Sequence, residues 1–381
     1  MRLDDLQADA AQQRAAAATG TASRPDPVAR AALAEIDYEE RARGVLPEYV
    51  SAYYGATAGS GRGSAEGIAD WSAIRFRPRA LRDLSTIDTA TTVLGTRVAT
   101  PVLVAPMAHQ HAADPEAEVA TGRAAAAVGT LLGVSTNVAV PYVDIAATGA
   151  PWWFQVYVTR NRRLTELMVQ RAVEHGARAL MLTVDMLALL PPDVNPRQWP
   201  ESPAKARMTN LTAEELAAAG PTDLQMDPAL SFDTVGWLRQ ISGLPVLVKG
   251  VLRGDDADRS MEAGAAGVVV STHGGRRLGP AVTAAQALPE VVATIGDAGE
   301  VYVDGGIRNA EHVAAALALG ARGVFVGRPV MWALAVEGER GVRAVLDGLN
   351  SDLRQVMTQL GAPRISDLTP DLVAAATGGA R

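Results

Sequence analysis

A (β/α)8 barrel is the fold this sequence predicts, on three observations. Short apolar runs recur from residue 101 to residue 329, each is apolar throughout rather than alternating, and Ala-rich amphipathic stretches fill most of the gaps. Parallel strands covered on both faces need such continuous runs, and a strand–helix rhythm repeated eight times closes them into a TIM barrel. A doubly wound open sheet is the alternative; it is disfavoured because no GxGxxG follows the first strand.

In chain order the runs are PVLVAP (101–106), GTLLGVS (129–135), WWFQVYV (152–158), ALMLTVD (179–185), PVLVKGV (245–251), GVVVSTH (267–273), EVYVDGG (300–306) and GVFVGRP (323–329). EAEVATGRAAAAVG and NAEHVAAALALGA read as crossover helices. Ahead of the barrel, residues 1–28 are rich in Ala, Gln, Thr and Ser and end in Pro25 and Pro27, which predicts a flexible arm. Residues 29–100 are expected to form an N-terminal helical extension, through AALAEIDYEERARG and then EYVSAYYGA, leading into a barrel over 101–368 and a tail over 369–381. GSGRG at 59–63 follows no strand and fits neither a dinucleotide nor a P-loop spacing, so a flexible turn is expected. The one oversized gap follows the fourth strand, from Met186 to Leu244, and its early part holds Pro191, Pro192, Pro196, Pro200 and Pro203. A long loop on that side of a barrel is a candidate lid.

Composition narrows the function. With 381 residues, 48% of them apolar, the chain can bury a full core. A net charge of −7 without a basic block argues against nucleic acid as a partner. There is no cysteine, which rules out disulfides and fits a reducing compartment. The first residues are acidic and lack an apolar core, and no run of 18 apolar residues occurs, so neither a secretory signal nor a membrane span is expected and a cytoplasmic location is inferred.

Barrel active sites sit where strands end. Here those ends carry Pro106, Met107 and Ala108, Ser135, Gln155 and Tyr157, Thr183 and Asp185, Lys249, His273, Asp304 to Arg308, and Gly327 with Arg328. DGGIR and the following GR place glycines beside arginines after the last two strands, where barrels commonly hold phosphate. Lys249 ends a buried strand and so needs an anionic partner or a shifted pKa. A flavin would use it, because a cation beside the ring stabilises the reduced form. His273 alone among the histidines ends a strand. His109 and His111 could line the site, His175 and His312 fall in helices and are expected at the surface, and no third ligand accompanies any pair, so no metal is expected.

Together these residues resemble the FMN-dependent α-hydroxy acid oxidase/dehydrogenase family. RPRALRDLSTIDTATTVLG, WFQVYV, LTVD, LPVLVKGV, STHGGRRL, ALPEVV, DGGIRNA and ALALGARGVFVGRP match it in order, across residues 45–368. The resemblance implies FMN as cofactor, with Pro106, Met107, Ala108, Ser135, Gln155, Thr183, Lys249 and Ser271 around the ring and ribityl chain. Asp304, Gly305, Gly306, Ile307, Arg308, Gly327 and Arg328 would hold ribityl and phosphate. It implies that His273 accepts a proton while hydride or its equivalent passes to flavin N5. Asp185 would be its partner, expected to raise its pKa by charge pairing. Tyr157 and Tyr53 would contact the substrate and Arg276 its carboxylate. A small-molecule substrate, O2 or another oxidant as electron acceptor, and a homotetramer are implied as well.

The pattern also breaks. Where the family continues TPRLGRRE after LTVD, this chain reads LTVDMLALLPPD, so Ala188 and Pro192 stand at the arginine positions. SNHGGRQLD becomes STHGGRRLG, with Thr272, Arg277 and Gly279 altered, and Met107 stands where threonine is common. Either Arg197, Arg207 or Arg277 substitutes for the lost cation, or the substrate is a larger, apolar or carboxylate-masked molecule such as an ester, amide or carrier-bound acyl group. The apolar MLALLPP favours the second reading, that of a specialised biosynthetic flavoenzyme performing oxidation or oxidative decarboxylation. A non-catalytic flavin-binding scaffold is a third, disfavoured because His273, Asp185, Tyr157 and Lys249 are all retained.

Overall fold

The computed structural model of the chain describes residues 37–186 and 209–374. The first arm, the MLALLPP segment from Leu187 onward, and Arg197 and Arg207 lie outside the described residues.

Eight parallel strands close into a barrel: β3 (Val102–Val104), β4 (Leu132–Val134), β5 (Trp152–Val156), β6 (Leu180–Thr183), β7 (Val246–Val251), β8 (Gly267–Val270), β9 (Glu300–Asp304) and β10 (Gly323–Val326). β10 pairs with β3 to complete the ring. Every apolar run of the sequence has become one of these strands. A preceding hairpin, β1 (Thr91–Val93) and β2 (Thr96–Val98), was not expected from the sequence. Its Val93 and Val98 join the core cluster with Leu103, Trp153, Met181, Leu247, Val269, Tyr302 and Phe325, so the hairpin plugs the end of the barrel where strands begin. Trp153, Tyr302 and Phe325 meet there with ring centroids 5.2–6.0 Å apart.

That plug decides where the site can be. Side chains along a strand alternate in direction, so the residue two positions beyond an inward-facing one also faces inward, one layer higher. Two beyond Trp153, Met181, Leu247, Val269, Tyr302 and Phe325 come Gln155, Thr183, Lys249, Ser271, Asp304 and Gly327. The apolar floor thus dictates a polar layer at the open mouth.

Among the described residues three helices precede the barrel: α1 (Tyr38–Val45), α2 (Glu48–Gly55) and α3 (Arg62–Ala73). Asp37 caps α1 by accepting from the amides of Glu39 and Glu40. Crossover helices include α4 (Ala117–Val128), α5 (Tyr142–Ala147) and α6 (Arg162–Glu174). The oversized gap holds α7 (Ala213–Ala218) and α8 (Asp233–Ser242), the latter being the crossover helix before β7, so less of it is loop than its length suggested. Then come α9 (Gly254–Glu262), α10 (Ala284–Ile295), α11 (Ala310–Ala318) and α12 (Arg328–Leu360), which bends at Gly338. Leu372 is buried and Val373 bridges Phe76 beyond the last helix.

GSGRG is more than a flexible turn. Gly61 starts α3, and a Cβ on Gly63 would lie 2.3 Å from the carbonyl oxygen of Gly279. The segment therefore packs α3 against the loop after β8. His312 also departs from expectation: it is 2% exposed, with Nε2 2.9 Å from Ser72 Oγ and Nδ1 3.3 Å from the Gly306 carbonyl. It joins α11 to α3 beneath the loop after β9. Among the described residues no helix is long and apolar enough to cross a membrane.

Candidate active site

One cavity at the mouth encloses about 1090 Å³ including its opening, at the upper end for small-molecule sites. Every site residue expected from the sequence lines it except Asp185 and Ser271. Those two act one step behind, through His273 and Lys249.

The central network is ionic. Lys249 Nζ lies 2.6 Å from Asp304 Oδ2 and donates to Ser271 Oγ at 2.8 Å, while Ser271 Oγ donates to Asp304 Oδ1 at 2.5 Å. Burial disfavours the ammonium, but Asp304 and then Asp185 outweigh it and hold the lysine pKa above its ordinary value. Because the Asp304 carboxylate is engaged here, the backbone of Gly305 and Gly306, both at positive φ, and Arg308 are the parts of that loop left to meet a phosphate.

His273 stands just above. Its amide donates to Ser271 Oγ at 3.0 Å, and its Nδ1 is 2.9 Å from Asp185 Oδ1. Asp185 fits because β7 bulges at Gly250: this residue has φ +110°, and a Cβ there would sit 2.8 Å from the Asp185 side chain. The expected rise in the His273 pKa is not what the site produces. Burial lowers it, Lys249 and Arg277 add to the fall, and Asp185 only partly offsets them. The imidazole is therefore neutral at neutral pH. Asp185 stays ionised: burial pulls its pKa up, but His273, Lys249 and Arg277 bring it below the ordinary value. Burial, then the Asp185 charge, keeps the Tyr157 phenol protonated.

At the rim, arginines gather on the C-terminal end of α2, where carbonyls lack helical partners. Arg276 Nη1 donates to the carbonyls of Tyr53 (2.8 Å), Tyr54 (3.2 Å) and Ala56 (3.3 Å), and its guanidinium lies 5.0 Å from the Tyr53 ring centroid. Arg328 reaches Tyr54 and Ala56 carbonyls and Ser64 Oγ at 3.0–3.3 Å. Burial, with Arg276 and Arg308 nearby, pushes Arg328 down to about 10. An anion at the start of α12 would relieve that repulsion.

The residues fit a flavin. Two buried polar atoms on adjacent strands have no protein partner among the described residues, Gln155 Nε2 and Thr183 Oγ1, and both side chains line the cavity. Gln155 Oε1 accepts from Ser135 Oγ (3.3 Å) and the Thr136 amide (3.2 Å), which aims Nε2 into the open space. With Lys249 on the next strand they form an arc of donors for the carbonyl edge of a planar ring, opposite the glycine–arginine loops.

Some of the lining escaped the sequence. Tyr54, Asn137, Met186 and Met331 contribute. Tyr54 hides its role because its hydroxyl is directed to the His109 carbonyl (2.7 Å), and Met331 comes from α12 rather than from a strand end. His109 and His111 do not line the cavity: His109 is buried behind the Tyr53 ring, at 5.6 Å. Among the described residues no group of three acidic or histidine side chains is placed to hold a metal.

Fold and site together define a barrel whose mouth sets a histidine–aspartate pair beside a cavity that fits a phosphorylated planar cofactor. The FMN-dependent dehydrogenase family matches residues 42–375, and the chain belongs to that family. It is 39% identical over 347 residues to L-lactate oxidase of Nostoc sp., covering 87% of this chain and 95% of that protein. It is 39% identical over 349 residues to glycolate oxidase 1 of Oryza sativa subsp. indica, covering 88% and 93%. Among solved structures, mandelate oxidase with (S)-2-phenylpropionate superposes with a TM-score of 0.78 at 35% identity, covering 90% of this chain and 97% of that one.

Proposed function

We propose that this chain oxidises the CH–OH carbon of a small 2-hydroxy acid to the 2-oxo acid, with FMN as its resident cofactor. Gln155, Thr183, Lys249 and Ser135 would hold the ring, and Gly305, Gly306, Arg308, Gly327 and Arg328 the phosphate. Bound FMN supplies the acceptor for the two electrons that leave the substrate carbon. The observation that carries this reading is the His273–Asp185 contact of 2.9 Å at the edge of that cavity. Asp185 occupies Nδ1, which leaves Nε2 of a neutral imidazole to take the substrate proton. The Tyr157 hydroxyl, kept protonated, donates to the substrate oxygen. Membership of the family and its named oxidases of lactate and glycolate support the substrate class.

A cytoplasmic homotetramer that passes electrons on to O2 or another oxidant belongs to the same reading. It rests on the family resemblance and, for location, on a cysteine-free composition suited to a reducing compartment. The test of the chemistry is anaerobic bleaching of the flavin by lactate, glycolate and mandelate. His273→Asn should stay yellow and lose bleaching by about 10²–10⁴-fold. A variant that keeps the wild-type rate would refute the assignment of the base.

A further inference from the structure

We infer that His312 is a positioning residue for the cofactor phosphate: it turns a backbone amide toward that group and takes up a proton from solvent as the group binds. This rests on the placement of the phosphate at Gly305, Gly306 and Arg308 proposed above.

The loop after β9 is held from behind at two successive carbonyls. Trp71 Nε1 donates to the Gly305 carbonyl at 2.9 Å, and His312 Nδ1 lies 3.3 Å from the Gly306 carbonyl. In a trans peptide the N–H points opposite to the C=O, so these contacts turn the amides of Gly306 and Ile307 the other way. Neither Trp71 nor His312 lines the cavity, whereas Gly306, Ile307 and Arg308 do, so the two amides face it. Among the described residues neither amide donates to a protein acceptor. Two adjacent N–H groups beside a guanidinium make a seat for a phosphate. The loop sits directly on α3: a Cβ on Gly306 would lie 2.3 Å from the Gly67 carbonyl oxygen and 2.9 Å from Trp71 Cδ1.

His312 serves in either charge state without losing that carbonyl. The Gly306 oxygen only accepts, so Nδ1 carries a proton throughout. Nε2 faces Ser72 Oγ at 2.9 Å, and the same hydroxyl lies 2.9 Å from the Ile68 carbonyl. Its single proton goes to Nε2 when the imidazole is neutral, and to Ile68 when Nε2 is itself a donor. Asn309 Oδ1 accepts from the His312 amide at 2.9 Å and fixes this residue in the first turn of α11. Two charged groups act on the ring, Glu311 on its own helix and Arg308 in the loop. Burial lowers its pKa, the Gly306 carbonyl and Glu311 raise it, and Arg308 lowers it. The other charged groups on the elements around it are engaged elsewhere. Thr283 Oγ1 donates to Asp70, Arg75 holds the carbonyls of Ser72 and Ile74, Asp371 pairs with Arg79, and Arg328 reaches the end of α2. A phosphate monoester brings close to two negative charges. It offsets Arg308 and draws a proton onto Nε2.

Calorimetry on the full-length apoprotein compares FMN with riboflavin, which lacks the phosphate, for wild type, His312→Gln and His312→Phe at pH 6, 7 and 8. His312→Phe loses the hold on Gly306. It should bind FMN about 2- to 13-fold more weakly at pH 8, with riboflavin changed less than about twofold. His312→Gln keeps a donor for Gly306 and cannot titrate. It should match wild type at pH 8 and fall behind by about 2- to 10-fold as pH drops to 6, because only wild type gains a proton there. Titration of the phosphate itself is common to both proteins and cancels in that ratio. Repeating the pH 7 measurement in buffers of different ionisation enthalpy counts protons. Wild type should take up more per FMN than His312→Gln, and the same number with riboflavin. Equal proton counts with FMN, or equal losses of FMN and riboflavin in His312→Phe, would overturn the inference. If wild type binds riboflavin as tightly as FMN, the placement of the phosphate fails and the inference with it. A preference for FMN that survives unchanged in both variants removes the role of His312 alone.

Discussion

His273 holds a backbone conformation that few side chains accept, with φ +54°. Such strain costs about 1–3 kcal/mol and persists where surrounding contacts over-determine it. Here the amide is fixed by Ser271 Oγ and the ring by Asp185, so the imidazole is aimed before substrate arrives. Its pKa lies below 6.5 because burial, Lys249 and Arg277 outweigh Asp185. The base must be neutral to accept a proton, so kcat/KM should rise with pH to a plateau whose midpoint lies under 6.5, and should stay flat through neutrality. Asp185→Asn removes the charge that supports the imidazolium and the contact that orients the ring. Its profile should shift to lower pH and its kcat fall by about 10²–10⁴-fold. Steady-state rates from pH 4.5 to 8 check both, and a midpoint moving upward would contradict the assignment. At this scale the strand-end rule reached most of the site, since Gln155, Thr183, Lys249 and Asp304 each lie two positions beyond a core residue. It could not reach the sign of the His273 shift, because a charge pair is legible in sequence and the depth of burial around it is not.

Among the elements, the eight strands were readable because each is buried on both faces and hence apolar throughout. The hairpin plug was not, since TTV and TRV are too short to show alternation. Nor was the bulge in β7, which depends on what approaches it. Gly250 is the point where β7 yields space to Asp185. Gly250→Ala adds a Cβ at φ +110° and 2.8 Å from the Asp185 side chain, so the carboxylate must move. The expected outcome is a loss of kcat approaching that of Asp185→Asn, with flavin still bound, as read from absorbance and turnover together. The helix α3 has a comparable role at the other end of the site. Trp71 Nε1 donates to the Gly305 carbonyl at 2.9 Å, holding the glycine loop that is proposed to meet the phosphate. Trp71→Phe removes that bond, worth about 0.5–1.5 kcal/mol, so FMN should bind about 2- to 13-fold more weakly. Fluorescence titration of the apoprotein with FMN measures it, and an unchanged affinity would detach α3 from the cofactor site.

For the molecule as a whole, one buried acid makes a contribution to stability that depends on pH. Glu118 opens α4 at 0% exposure; its Oε2 accepts from the Ala139 amide at 3.2 Å, and Oε1 has no protein partner among the described residues. It thereby stands between the loop after β3 and the loop after β4, both of which line the mouth. Burial raises its pKa from 4.5 to about 7, against the opposing pull of backbone amides including those of Ala139 and Gln110. In the unfolded chain this carboxyl ionises near 4.5, whereas the folded protein keeps the proton until about 7. Between those values the folded state binds more protons, so stability falls as pH rises and the loss is complete above 7. The interval corresponds to at most about 3 kcal/mol. Glu118→Gln keeps an oxygen for Ala139 and cannot ionise. Urea unfolding at pH 4.5, 5.5, 6.5 and 8 should show the variant gaining on wild type steadily to pH 7 and by a constant margin beyond. A difference that does not vary with pH would mean that Glu118 is charged, or uncharged, throughout.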